Sequence, residues 1–187
     1  MSVAIRVQEW LSVRKRAQDL NTLRGMLGPS PELRLLDIGG GAGAATERFA
    51  TGCGEIVVLE PNPRKLALGR KLRPTMRFEP GHAETLPFSD ASFDRVVSVV
   101  AFHHMEDQEK ALAEMWRVLR PGGRLVIVEL AKARAPGPVA RWLAGMRHVE
   151  HLSFLDPVEL AAKLETHGFR GVTTREGARC YFVAASK

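Results

Sequence analysis

Leu35-Leu36-Asp37-Ile38-Gly39-Gly40-Gly41-Ala42-Gly43 is the stretch on which the reading of this chain turns. The apolar run from Leu33 to Ile38 reads as a buried strand, and it falls into a glycine loop that opens a helix over 44–50. Glycines there let the backbone turn tightly and approach a ligand that a Cβ would block. Downstream, Ile56-Val57-Val58-Leu59 reads as a second buried strand, followed by a helix over 62–72 and a weak strand at 76–78. A fourth strand spans 93–100. A helix over 107–119 follows, carrying Leu112, Met115, Trp116 and Leu119 on one side, with Trp116 read as core, and Pro121-Gly122-Gly123 stops it. A fifth strand covers 124–130, a short helix 139–146, a helix capped by Asp156 with Pro157 at its first position runs to 166, and two strands close the chain near 171–174 and 179–185. Continuous apolar strands alternating with helices predict a doubly wound α/β fold with a mostly parallel sheet.

The 187 residues suit one domain over 1–187, with a helical N-terminal extension at 1–30 and a short segment at 131–156 after the fifth strand. A hydrophobic content of 45% and a charged content of 26% exclude disorder, collagen and coiled coil. Cys53 and Cys180 form no CxxC unit, so neither a zinc site nor a disulfide framework is expected. No apolar run approaches the ~20 residues that cross a bilayer. The N-terminus has no apolar core of a secretory signal, so a soluble cytoplasmic protein is expected. The stripe Trp10, Val13, Ala17, Leu20, Leu23, Leu27 marks an amphipathic helix. It can pack over the sheet edge, the expected role, or rest on a membrane surface.

Lys+Arg exceed Asp+Glu by 27 to 21, giving +6. Six of the bases (Arg64, Lys65, Arg70, Lys71, Arg73, Arg77) fall between residues 61 and 78 with no acid, and Lys132, Arg134, Arg141 and Arg147 form a second such stretch. These read as solvated faces, or as a rim that attracts an anionic substrate; without a nucleic-acid motif, RNA and DNA are disfavoured.

In a doubly wound sheet the ligand sits beyond the carboxyl ends of the strands, at the switch point. Glu60 ends the second strand, where a carboxylate can accept from both hydroxyls of a ribose. Gly39, Gly41 and Ala44 also satisfy a nicotinamide or flavin fingerprint, which keeps an oxidoreductase open. Asp37 weighs toward a nucleoside that carries an amino acid, because a buried carboxylate needs a partner and can orient the loop or reach an amino group.

With these residues in view, Leu36 through Gly43 resembles the first motif of class I S-adenosylmethionine-dependent methyltransferases, and Glu60 their ribose-binding acid. Gly81-His82-Ala83-Glu84-Thr85-Leu86-Pro87-Phe88 with Ser92-Phe93-Asp94 resembles their adenine loop. Leu119-Arg120-Pro121-Gly122-Gly123 and His167-Gly168-Phe169 add to the likeness, which points to the type 11 branch containing the ubiquinone and menaquinone methyltransferases. The resemblance implies a Rossmann-like sheet of seven strands, the last antiparallel, and S-adenosyl-L-methionine as cofactor. By position it implies that Gly39, Gly40 and Gly41 lie at the methionine part and Glu60 at the ribose. Pro61, Asn62, His82, Ala83 and Glu84 would then surround the adenine, with main chain near Val99 at the amino group. His82 departs from the pattern, since many relatives carry Asp there, and Glu84 is the substitute.

Methyl transfer asks a protein mainly to hold the nucleophile in line with the sulfonium carbon. Should the acceptor need a base, His103 and His104 after strand four are the candidate catalytic residues. Trp142, Arg147, His148, His151 and Phe154 suit a small-molecule acceptor with an aromatic or anionic group. No metal is implied. Methyl transfer to a small molecule is the reading; its alternatives are a non-catalytic cofactor- or partner-binding module of the same fold and, less favoured, an NAD-dependent oxidoreductase.

Overall fold

The structure, a computed structural model, describes residues 13, 14, 16–130 and 153–187. The expected helix at 139–146, together with Trp10, Trp142, Arg147, His148 and His151, lies outside the described residues. Seven strands form one sheet: β1 (Arg34–Ile38), β2 (Glu55–Leu59), β3 (Arg77–Glu79), β4 (Phe93–Val99), β5 (Leu119–Leu130), β6 (Arg170–Glu176) and β7 (Cys180–Ser186). Their order is β3-β2-β1-β4-β5-β7-β6. The first five pair in parallel, and β7 runs antiparallel to both β5 and β6.

Helices cover both faces because alternate strand residues are apolar on both sides. On one face, Leu20, Leu23 and Leu27 of α1 (Ala17–Leu27) and Phe49 of α2 (Ala44–Ala50) pack on Leu35, Val97, Val126 and Phe182. The N-terminal stripe thus serves the core over its described part. Asp19 of α1 is buried and accepts hydrogen bonds from the Ala178 and Arg179 N–H groups, tying this helix to the β6–β7 turn. On the other face, Leu112 and Met115 of α4 (Gln108–Val118) and Leu160 and Leu164 of α5 (Pro157–Thr166) meet Leu36, Val96, Leu125 and Ile127. Between them in sequence, α3 (Pro63–Leu72) sets Leu66 on Val58 and Phe78. Its N-terminus is capped by the Asn62 side chain, which accepts from the Arg64 and Lys65 N–H groups. Asp156 and Glu159 close a reciprocal capping box on α5.

Two expectations need correction. Helix α4 ends at Val118, and Pro121-Gly122-Gly123 lies inside the extended segment β5 instead of preceding it. Trp116 is not core: it is 37% exposed, and the Lys187 ammonium sits 3.8 Å from the centre of its ring. The side of α4 that carries Leu112 and Met115 faces the sheet, and Trp116 falls just beyond it. Among the described residues, no helix is long and apolar enough to cross a membrane.

Candidate active site

The chain reverses its sheet order at β1, with β2 to one side and β4 to the other, so a crevice opens beyond the carboxyl ends of these strands. A cleft of about 450 Å³ lies there, of a size that suits a nucleoside-sized ligand. Ile38 and Gly39 line it from β1, Leu59, Glu60, Pro61 and Asn62 from β2, and His82, Ala83 and Glu84 from the loop after β3. Val100, Ala101, His104 and Met105 complete it beyond β4.

The glycine loop is shaped by close approach. Gly39 has φ +76°, and a Cβ on it would stand 2.6 Å from the Ala101 Cβ. A Cβ on Gly40 would stand 2.5 Å from Asp37 Oδ2. Glu60 is buried and holds the loop from the neighbouring strand: its Oε2 accepts from the Gly41 N–H at 3.1 Å, and its Oε1 from the Asn62 N–H at 3.0 Å. A carboxylate has about four acceptor sites, so Glu60 retains capacity for two further donors. Lys65 Nζ lies 3.7 Å away.

Asp37 does not line the cleft; it lies beneath the loop. The Thr46 hydroxyl donates to its Oδ2 at 2.5 Å, while Oδ1 is buried with no hydrogen-bond partner among the described residues. Burial pushes this carboxyl up to about 7, with the charge of Glu60 adding to the rise and the Thr46 bond opposing it.

The loop after β3 is clamped from behind by α4. Glu114 accepts from the Leu86 N–H at 2.7 Å, and the Arg117 guanidinium donates to the Leu86 and Phe88 carbonyls and to Asp90. Glu84 turns away from a purely ligand-facing role, since its Oε1 accepts from the Glu106 N–H at 2.9 Å. His82 is exposed at the cleft, and its carbonyl accepts from the Thr85 N–H.

Beyond β4, Val100 takes φ +52°, a conformation that a β-branched residue rarely adopts. That turn carries Val100 and Ala101 into the cleft wall, whereas Val99, the residue expected there, remains in the strand and packs beside the α1 core. The two histidines separate. His104 lines the cleft, where desolvation of its ring and the neighbouring His103 push it down to about 4. His103 is buried, with its Nδ1 2.8 Å from Glu129 Oε2 and its ring stacked on Phe154 at 4.3 Å. Sequence reading missed Glu129, Glu114 and Arg117. An acid interrupting the apolar run of β5 was the available signal for Glu129.

The basic run at 61–78 resolves largely into structure. Arg70 donates to the Phe78 carbonyl, Arg73 to the Ala42 carbonyl and Glu47, and Arg77 to Glu79.

Residues 36–127 match the family described as Methyltransferase domain. A demethylmenaquinone methyltransferase from Renibacterium salmoninarum is 38% identical over 105 residues, covering 56% of this chain and 44% of that protein. A ubiquinone/menaquinone biosynthesis C-methyltransferase from Vibrio cholerae is 38% identical over 114 residues with the same coverage. The chain thus matches less than half the length of these curated relatives. In fold, it is similar to the crystal structure of a SAM-dependent methyltransferase from Thermotoga maritima, with a TM-score of 0.75 and 23% identity over 99% of this chain and 96% of that one.

Proposed function

We propose that this chain is a class I S-adenosylmethionine-dependent methyltransferase of type 11 that methylates a small hydroxylated aromatic acceptor, a reading supported by the methyltransferase-domain match and the methyltransferase relatives. The observation that carries the reading is the bond from Gly41 to Glu60: a second-strand carboxylate gripping the glycine loop of the first, at the mouth of a nucleoside-sized cleft.

The residues present fit S-adenosylmethionine. The backbone of Gly39, Gly40 and Gly41 would receive its methionine part, at a loop that a Cβ on Gly39 would push away from Ala101. Glu60 would take the ribose hydroxyls on its remaining lone pairs. Pro61, Asn62, His82, Ala83 and Glu84 would flank the adenine, and the main chain of Val100 and Ala101 would stand where Val99 was expected. Asp37 supports the loop from beneath through Thr46.

When bound, the cofactor supplies a sulfonium methyl group already activated for displacement. The protein's own part is to bind, orient and exclude water. His104, neutral at pH 7, adds no positive charge to a wall that faces a cation. The catalytic base of this reading is the His103–His104 pair at the end of β4. Names of the relatives support a quinone-type ring as acceptor, taken in its reduced, hydroxyl-bearing form because a hydroquinone carbon is nucleophilic and a quinone carbon is not.

Parallel calorimetric titration with S-adenosylmethionine, S-adenosylhomocysteine and NAD tests the cofactor. Micromolar binding of the first two, lost in Glu60→Ala, is expected; NAD binding alone would overturn the reading. Incubation with methyl-labelled cofactor and a short-chain demethylmenaquinone, reduced beforehand with dithionite, tests the acceptor. Cofactor binding without label transfer would favour the non-catalytic module.

A further inference from the structure

Glu129 has no counterpart among the residues that the sequence pointed to, yet it holds His103, the neighbour of the cleft-lining His104. It projects from the end of β5 and is buried. Two backbone N–H groups and one imidazole nitrogen converge on its two oxygens. Oε1 accepts from the His103 backbone at 3.2 Å; Oε2 lies 2.8 Å from His103 Nδ1 and accepts from the Leu130 N–H at 3.2 Å. A backbone donor on each oxygen suits an acceptor-only group, which is the ionised carboxylate. Its Oε2 therefore accepts a proton-bearing Nδ1, and the other ring nitrogen, Nε2, carries the lone pair.

Packing then fixes the ring. Phe154 stacks on one side at an interplanar angle of 16°, and His104 flanks it with ring centres 4.1 Å apart. The segment that brings Phe154 is itself pinned: Ser153 N–H donates to the His103 carbonyl, Gln108 Nε2 donates to the Ser153 carbonyl, and the Tyr181 hydroxyl donates to the Leu155 carbonyl. An imidazole with a buried carboxylate at one nitrogen and aromatic rings around it is a poised proton acceptor, next to a histidine that lines the cofactor cleft.

Resting on the methyltransferase reading above, we propose that Glu129 is the positioning residue that holds His103 with Nδ1 protonated, so that Nε2 accepts the hydroxyl proton of an aromatic acceptor stacked near Phe154. In that step the acceptor O–H bond breaks, its electron pair stays on oxygen and delocalises into the ring, and an N–H bond forms at Nε2. The proton is afterwards released to solvent. The ionisable groups around the pair are His104 beside the ring, Lys65 acting on His104, and Arg16, Cys180 and Tyr181 acting with Glu129.

The test uses the full chain with ¹⁵N-labelled histidine in the presence of S-adenosylhomocysteine. Long-range ¹H–¹⁵N spectra at neutral pH should show His103 protonated at Nδ1 and bare at Nε2. In Glu129→Gln one face of the amide must meet an N–H donor, and the tautomer population should shift; Glu129→Asp should restore it in part. With the reduced demethylmenaquinone, Glu129→Gln should lower kcat about 10²-fold while KM and the affinity for S-adenosylhomocysteine stay within about twofold. A wild-type His103 protonated at Nε2 overturns the proposal, as does Glu129→Gln with an unchanged kcat. If the hydroquinone is not methylated, the tautomer decides the proposal alone. Failure to bind S-adenosylhomocysteine would sink the functional reading and leave the tautomer result standing.

Discussion

Thr46 Oγ1 donates to Asp37 Oδ2 at 2.5 Å directly beneath the glycine loop, and the second Asp37 oxygen is buried without a hydrogen-bond partner among the described residues. Desolvation pushes this carboxyl from 3.8 up to about 7. In the unfolded chain the same group loses its proton near 3.8, so between roughly pH 4 and pH 7 the folded state binds more protons. The linkage then runs opposite to that of a salt-bridged acid: its contribution is most favourable below about 4 and falls as pH rises through about 7.

The first prediction follows from that sign. Asp37→Asn cannot ionise, so it should gain stability relative to wild type as pH rises from 4.5 to 7.5. The relative gain should be at most about 4 kcal/mol, the linkage value of three pKa units. Urea unfolding of both proteins across this range checks it, and parallel curves would show that Asp37 ionises normally in the fold.

Gly39→Ala meets two obstacles together. The residue sits at φ +76°, and the new methyl would stand 2.6 Å from the Ala101 Cβ, which is a short side chain with nowhere to swing. The variant should lose about 1–3 kcal/mol of stability. Its affinity for S-adenosylhomocysteine should fall more than tenfold, because relief can come only by parting the β1 loop from the β4 turn. Thermal unfolding and calorimetric titration together separate the two effects.

Much of this architecture was legible because it rests on local pattern. Apolar runs such as Ile56–Leu59 and Leu125–Val128 can only be buried strands, and the glycine loop with Glu60 marks the switch point without any tertiary knowledge. What escaped rests on pairs distant in sequence. Glu129 meets His103 and Arg117 meets Leu86; the acid in the apolar run of β5 marks Glu129 as unusual, but nothing local in β5 or α4 announces either partner. Trp116 was misplaced because a helical stripe gives the direction of the core but not its width. The shift from Val99 to Val100 arises from a single left-handed turn at a valine, which sequence preference argues against.

Arg117 offers a way to test whether the loop after β3 must be held rigid. Its guanidinium contacts two carbonyls of that loop and two carboxylates, and it does not line the cleft. Arg117→Ala should therefore weaken S-adenosylhomocysteine binding through disorder in the loop, by about 1–2 kcal/mol or roughly tenfold. Arg117→Lys can satisfy only part of this fork and should fall between the two. Increased amide exchange at Leu86 and Phe88 in the alanine variant is the accompanying signature; unchanged exchange with weakened binding would place the effect elsewhere.

His82 is the position where this chain departs from the pattern it resembles, and the structure puts it at the cleft wall, exposed, beside the buried Ala83. An imidazole can accept a hydrogen bond at one nitrogen only while neutral, whereas an aspartate accepts at every pH above its own titration. His82→Asp should accordingly tighten S-adenosylhomocysteine, by about 1 kcal/mol for one added charge-assisted bond. The loop geometry permits the exchange, since the contact that holds this turn is the His82 carbonyl to the Thr85 N–H and leaves the side chain out of the fold. Parallel calorimetric titrations of both proteins with this ligand decide the point. Equal affinities would mean that the adenine amino group finds its partner elsewhere, with Glu84 then the residue to replace, because its second oxygen remains available once Oε1 has accepted from Glu106.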